Sequence, residues 1–187
     1  HMGFVVLGIA AAALHANSED GVIALNGAVL QMFNHGLYSA GMFFLVGVIY
    51  DRAHTRDLNA FGGLYALLPV YGSILIFTSM ASLGLPGLNG FVSEFLVVRG
   101  AWPAFTAATA LSMIGLFFTG AYTLKALWKV LHGPLNPAWG GSHETGKARK
   151  QSGGAAVGHA LTEINLRELV VITPLMVMIL VIGFWPR

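Results

Sequence analysis

From about residue 22 to residue 50 the chain carries no Asp, Glu, Lys or Arg, and a run of that kind constrains the fold more than any motif. Inside lipid every backbone amide and carbonyl must be bonded within its own segment, so such a run reads as a spanning helix, which needs roughly 20 residues at 1.5 Å rise each. Other apolar segments repeat the pattern: a truncated one at 1–16, one at about 65–101, one at about 104–131 and one at about 168–187. The first is ended by the polar cluster Asn17, Ser18, Glu19 and Asp20, which has turn chemistry. The third is too long for one straight span. The expected fold is therefore all-α, a polytopic transmembrane helix bundle with one discontinuous helix.

Composition narrows the function classes. Hydrophobic residues make up 56% of the 187 and charged residues only 10%, less than half the usual share of about 25% in soluble domains. That argues against a water-soluble enzyme, a disordered tail and a coiled coil. A formal net charge of +2 gives no field strong enough to hold nucleic acid. With no cysteine there is no thiolate for a metal or an Fe–S cluster, so redox chemistry is expected on another chain. The opening HMGFVVLGIAAAAL is already apolar and lacks the basic flank of a signal peptide. It reads as the later part of something longer, or else His1 and Met2 are a cloning remnant.

Basic residues concentrate on the cytoplasmic side of membrane proteins. Here Arg52 and Arg56 follow the second segment, and Lys147, Arg149 and Lys150, flanked by Lys129 and Arg167, follow the fourth. Glu19, Asp20, the connection from Arg99 to Pro103 and the terminal Arg187 fall on the opposite side. Residues 133–160 are rich in Gly, Pro and Ser with no apolar period, so a mobile cytoplasmic loop is expected across 133–167. His132, His143 and His159 match no metal-ligand spacing. Gly27, Gly36, Gly41 and Gly47 offer close helix contacts along the second segment.

The most informative string is SLGLPGLNGFVSEF at 82–95. Gly84, Pro86, Gly87 and Gly90 will not sustain a helix, because proline lacks the backbone donor and glycine has little helical preference. The span is therefore expected to break near 84–90. Broken helices at membrane depth recur where transporters bind ions, although a kink that only helps packing is the alternative. A helix restarting near Asn89 presents Glu94 about one turn later. Burial disfavours the charged form of an intramembrane carboxylate, which is the condition a proton carrier needs; an acid that merely bonds the broken backbone is the other reading. In the second segment, Gly27, Gln31, Asn34 or His35, and Tyr38 share one helical stripe, a polar seam facing inward. His35 on that seam is either a proton relay or a packing residue. Lys125 either snorkels to the headgroups or couples as a cation to Glu94. Asp51, Arg52, Arg56 and Asp57 read as a solvated interfacial cluster or a contact with a neighbouring subunit.

HMGF, QMFNHGLYSAGMFFLVGVIYDRAHTRDL, GGL, GLPGLNGFVSEF and LREL follow in an order that resembles the antiporter-like membrane subunits of respiratory complex I, the NADH:quinone oxidoreductase. Among these the chain is most similar to the M, or subunit 4, type. The L type typically has lysine where Glu94 stands and continues into a long lateral helix. The resemblance implies that this chain is the C-terminal part of a fourteen-helix subunit, from the end of the tenth helix onward. It implies that His1 belongs to the HMG motif, that His35 is the histidine of the next helix, and that Glu94 is the terminal carboxylate of the second half-channel. Lys125 departs from the family pattern. Proton translocation coupled to quinone reduction is the implied function, without a cofactor on this chain. NADH, FMN, Fe–S clusters and quinone are expected on partner subunits, L-type, N-type and small membrane subunits as neighbours, and the bacterial inner membrane as location. The alternatives are a D-type subunit of a multisubunit sodium/proton antiporter, a membrane subunit of a related hydrogenase or ferredoxin-linked complex, or a structural scaffold.

Overall fold

The computed structural model of the chain describes residues 1–140 and 161–185. Its helices are α1 (Met2–Leu14), α2 (Glu19–Ala53), α3 (Pro69–Ser82), α4 (Asn89–Ala101), α5 (Thr106–Leu131), α6 (Pro137–Gly140) and α7 (Leu166–Phe184), with two 3-10 turns at Leu58–Ala60 and Leu64–Ala66. Helices α2, α5 and α7 are long and apolar enough to cross a membrane, while α1 and α3 are apolar but shorter. Among the described residues there is no strand.

Helix α2 is the spine of the bundle. The polar cluster at 17–20 does more than end the first segment: Ser18 caps α2, its Oγ accepting from Gly21 N at 3.0 Å, and Glu19 and Asp20 meet the positive end of the helix dipole. Helices α3 and α4 run end to end along α2 in the opposite direction. Thr78 of α3 packs at Gly41, Asn89 bonds Asn34, Val97 packs at Gly27, and Gly100 lies on Asp20 and Ala24. A methyl group on Gly27 would sit 2.7 Å from the backbone nitrogen of Val97, and one on Gly8 of α1 would sit 2.8 Å from Ala24 O. Small residues thus bring three backbones together. Gly36 and Gly47 do not serve this purpose, since both lie on faces of α2 that no described element covers.

The helix ends far from Ser18 are tied by long-range polar contacts. Gly63 N donates to His132 O at 3.1 Å, and Trp139 stacks on Phe61 while its indole donates to Ala60 O at 2.7 Å. The start of the segment expected as a free loop is therefore packed through α6. Residues 141–160, with His143, Lys147, Arg149, Lys150 and His159, and also Arg187, lie outside the described residues.

The expected cluster of Asp51, Arg52, Arg56 and Asp57 divides between separate contacts. Arg56 lies over the ring of Tyr50 at 4.6 Å, and Asp57 caps the first 3-10 turn. Arg52 turns inward: Nη1 and Nη2 grip the carboxylate of Glu168 at 3.1 and 2.8 Å, and Nε donates to Thr162 O at 2.8 Å. A bidentate guanidinium at a half-buried carboxylate is the stronger kind of ion pair. Arg52→Ala is expected to lower stability by about 1–3 kcal/mol, because Glu168 loses its charged partner and the carbonyls of Val48, Thr162 and Glu163 lose a donor. Arg52→Lys, which cannot reproduce the fork, is expected to recover only part of that. Thermal unfolding of the solubilised protein followed by circular dichroism checks both.

Candidate functional site

The break between α3 and α4 closes its own backbone better than the glycine and proline content suggests. Gly84 takes φ +71°, a conformation that suits a residue without Cβ. Gly84 N then donates to Ala81 O at 3.2 Å and Leu85 N to Met80 O at 3.2 Å, the paired bonds of a Schellman motif. Gly87 makes the second left-handed turn at φ +92°, and α4 restarts at Asn89 so close to α3 that a methyl on Gly90 would overlap Ala81 O. Among the side chains, Glu94 Oε2 and Asn89 Oδ1 are buried with no hydrogen-bond partner among the described residues.

Glu94 is 3% exposed, one turn into α4. His1 Nδ1 lies 2.9 Å from its Oε1, and Gln31 Nε2 donates to the same oxygen at 3.3 Å. Oε2 points the other way, toward the break: a Cβ on Gly84 would stand 2.7 Å from it. Gly84 thus leaves the carboxyl its room. His1 Nε2 is in turn 3.3 Å from Ser82 Oγ, at the end of α3.

The seam on α2 holds the acid from the other side. Ser93 Oγ donates to Gln31 Oε1, which orients the amide so that its Nε2 serves both Glu94 and the Tyr38 hydroxyl, the latter at 3.3 Å. With its oxygen accepting from Gln31, Tyr38 is free to donate to His35 Nδ1, 3.2 Å away. The rings of His1, His35 and Tyr38 sit within 6.0 Å of one another. Asn34 Nδ2 donates to Asn89 O at 2.8 Å and Ser93 Oγ at 2.9 Å, pinning the restart of α4 to α2. Asn34→Leu is expected to cost about 1–3 kcal/mol, since Asn89 O and Ser93 Oγ each lose a donor and the buried Asn89 side-chain amide loses its acceptor. A lower thermal midpoint of the solubilised subunit is the readout.

Of the residues singled out in the sequence, His1, His35 and Glu94 converge with Gly84 and Gly90 at one place. Pro86 and Gly87 shape the turn beside it. Lys125 does not join them; it is exposed on α5, without an ion pair to Glu94 among the described residues. The stripe on α2 has Gly27, Gln31, Asn34 and Tyr38 as its buried members, with His35 half-buried. Ser82, Asn89 and Ser93 were not evident in the sequence as site residues. The 3.6 period would have placed Ser93 and Asn89 on one face of α4, four apart, but only packing shows that this face meets Asn34.

A family model described as "NADH:quinone oxidoreductase/Mrp antiporter, TM" matches residues 1–121. NADH-quinone oxidoreductase subunit M of Escherichia coli (strain K12) is 34% identical over 187 residues, all of this chain and 32% of the relative. Subunit M of Rhodobacter capsulatus is 36% identical over 100% of this chain and 31% of its own length. NAD(P)H-quinone oxidoreductase chain 4 1 of Synechococcus elongatus is 38% identical, again over 100% of this chain and 31% of the relative. The chain therefore spans about a third of the length of these relatives. Among solved structures, respiratory complex I from Thermus thermophilus with bound NADH superposes with a TM-score of 0.73 at 24% identity, covering 98% of this chain and 33% of that one. The Mrp complex from Dietzia sp. DQ12-45-1b gives 0.68 at 22% identity over 88% of this chain and 37% of that one. At these identities the two structures establish the fold. The model match over 1–121 and the whole-chain identities of 34–38% make this chain a member of the NADH:quinone oxidoreductase/Mrp antiporter transmembrane family.

Proposed function

We propose that the chain carries a proton-translocating half-channel of a membrane subunit of NADH:quinone oxidoreductase, of the subunit M or chain 4 type. The observation that carries this reading is the buried Glu94 at the helix break, with one oxygen on His1 and the other unbonded. A carboxyl held by a titratable imidazole at one oxygen, with a second buried oxygen that no described group engages, can take up a proton at one oxygen and release it from the other. Gln31 cannot pass a proton on, because a primary amide neither gains nor gives up a proton near neutral pH, so its part is to hold Glu94 and Tyr38 in register. Transfer between the His35–Tyr38 pair and Glu94 then runs through the nearby His1 ring or through water.

Energetics permit this. Moving one charge against 100 mV costs about 2.3 kcal/mol. A swing of two pKa units in a carboxyl changes its proton free energy by about 2.7 kcal/mol. Rearrangement of one neighbouring charge suffices. The basic residues Arg52, Arg56, Lys129 and Arg167 gather at one end of the bundle, which supports placing that end in the cytoplasm of a bacterial inner membrane. The oxidoreductase chemistry belongs to partner subunits carrying NADH, FMN, Fe–S clusters and quinone, with L-type, N-type and small membrane subunits as neighbours. The experiment is Glu94→Gln in the complete subunit, with NADH-driven proton uptake measured on membrane vesicles. Normal protons per electron with intact assembly would remove Glu94 from the path.

The family model and the Dietzia match keep a sodium/proton antiporter subunit as the second reading. It predicts transport that depends on sodium; the first predicts uptake that is unchanged in sodium-free medium.

A further inference from the structure

Helix α3 starts without a cap of its own. Leu68 stands at its N-cap with no side-chain bond, and Pro69 at the first position has no N–H to satisfy. Gly72 N already bonds Leu68 O at 2.9 Å. The amides left over are those of Val70 and Tyr71, and both donate to the carboxylate of Glu163 at 3.0 Å. An acid at this end also meets the positive pole of the helix. Glu163 is itself held: its carbonyl accepts from Arg52 Nη2 at 3.2 Å, and the capping box of Asn165 and Glu168 opens α7 two residues later.

The far end of α7 reaches the other end of α3. A methyl on Gly183 would lie 2.7 Å from Leu88 Cα, and Ile179 is buried with Tyr38, Ala81 and Leu88. Helix α7 and its lead-in therefore grip α3 at its first turn and at the break. Helix α3 has 14 residues, about 21 Å at 1.5 Å each, and its bonds are continuous, so an axial shift at Val70 is delivered at Ser82 and Gly84. Those two residues touch the His1–Glu94 pair, Ser82 through His1 Nε2 and Gly84 through Glu94 Oε2.

We propose that Glu163 is a positioning residue for Glu94: by tying the first turn of α3 to the lead-in of α7, it sets where the break stands against the carboxyl. This rests on the reading of Glu94 as the proton-carrying acid. The test is Glu163→Ala in the complete subunit within its assembled complex, with Glu163→Gln and Glu94→Gln alongside. Proton uptake per NADH oxidised in membrane vesicles is expected to fall about twofold or more in Glu163→Ala, with the rate of quinone reduction unchanged. Glu163→Gln, which keeps one acceptor for the α3 amides, is expected to restore most of the uptake. A merely structural role would lower uptake and quinone reduction together in the complex that does assemble, and that result overturns the proposal. Wild-type uptake in Glu163→Ala, with uptake lost in Glu94→Gln, also overturns it and leaves the reading of Glu94 standing. Normal uptake in Glu94→Gln removes that reading itself. If Glu163→Ala does not assemble, Glu163→Asp takes its place: reduced uptake supports the proposal and wild-type uptake overturns it.

Discussion

In the complete subunit, Glu94→Gln is expected to stop proton movement through this half-channel while the bundle still forms. Gln has nearly the same shape, and one amide oxygen can still accept from Gln31 and from a protonated His1, so the buried network keeps its partners. What it loses is the exchangeable proton. Removing a positioned proton-transfer group typically costs about 10²–10⁴-fold in rate, so transport by this route is expected to fall at least about a hundredfold. Glu94→Asp keeps the acid but withdraws it from Gly84 and His1 by one methylene, and an intermediate rate is expected. Proton uptake measured with assembly confirmed on native gels separates these results from misfolding.

The second large effect is expected from Gly100→Leu. A Cβ at this position would lie 2.6 Å from Asp20 O and 2.8 Å from Ala24 Cα, both backbone atoms inside α2. Backbone of a helix interior cannot step aside as a long side chain can, so α4 must part from α2. The same separation would loosen Val97 at Gly27, and farther along would draw Ser93 and Asn89 from Gln31 and Asn34. Overpacking alone costs about 1–3 kcal/mol, and the unpaired polar groups add to it. The variant subunit is expected not to accumulate in membranes. Gly47→Leu, on an uncovered face of α2, is expected to accumulate far better, and immunoblots of membrane fractions compare the two.

How much of this was legible in the sequence follows from the range of the interactions. The apolar runs reveal spanning helices because lipid leaves the backbone no other partner, and the glycines and proline between Gly84 and Gly90 reveal the break through local sterics. The stripe on α2 is visible because helical periodicity is local too. Contacts across many residues were not visible: Arg52 with Glu168, Glu163 with the amides of α3, or Ser93 with Gln31. Nor does a string of break residues reveal that a Schellman turn will bond carbonyls at the end of α3, or that side-chain oxygens of Glu94 and Asn89 will be buried without a partner among the described residues. Lys125 shows the opposite limit. Its charge suggests a role, but in the fold it is exposed on α5 with no ion pair to Glu94 among the described residues.

Infrared difference spectroscopy on the intact complex, resting against turning over with NADH, reads the protonated carboxyl of Glu94 directly when the Glu94→Gln complex serves as the reference. A carbonyl band that is absent from Glu94→Gln, shifts in deuterium oxide and changes amplitude on turnover is the predicted result. A Glu94 that stays in one protonation state through turnover would contradict the account.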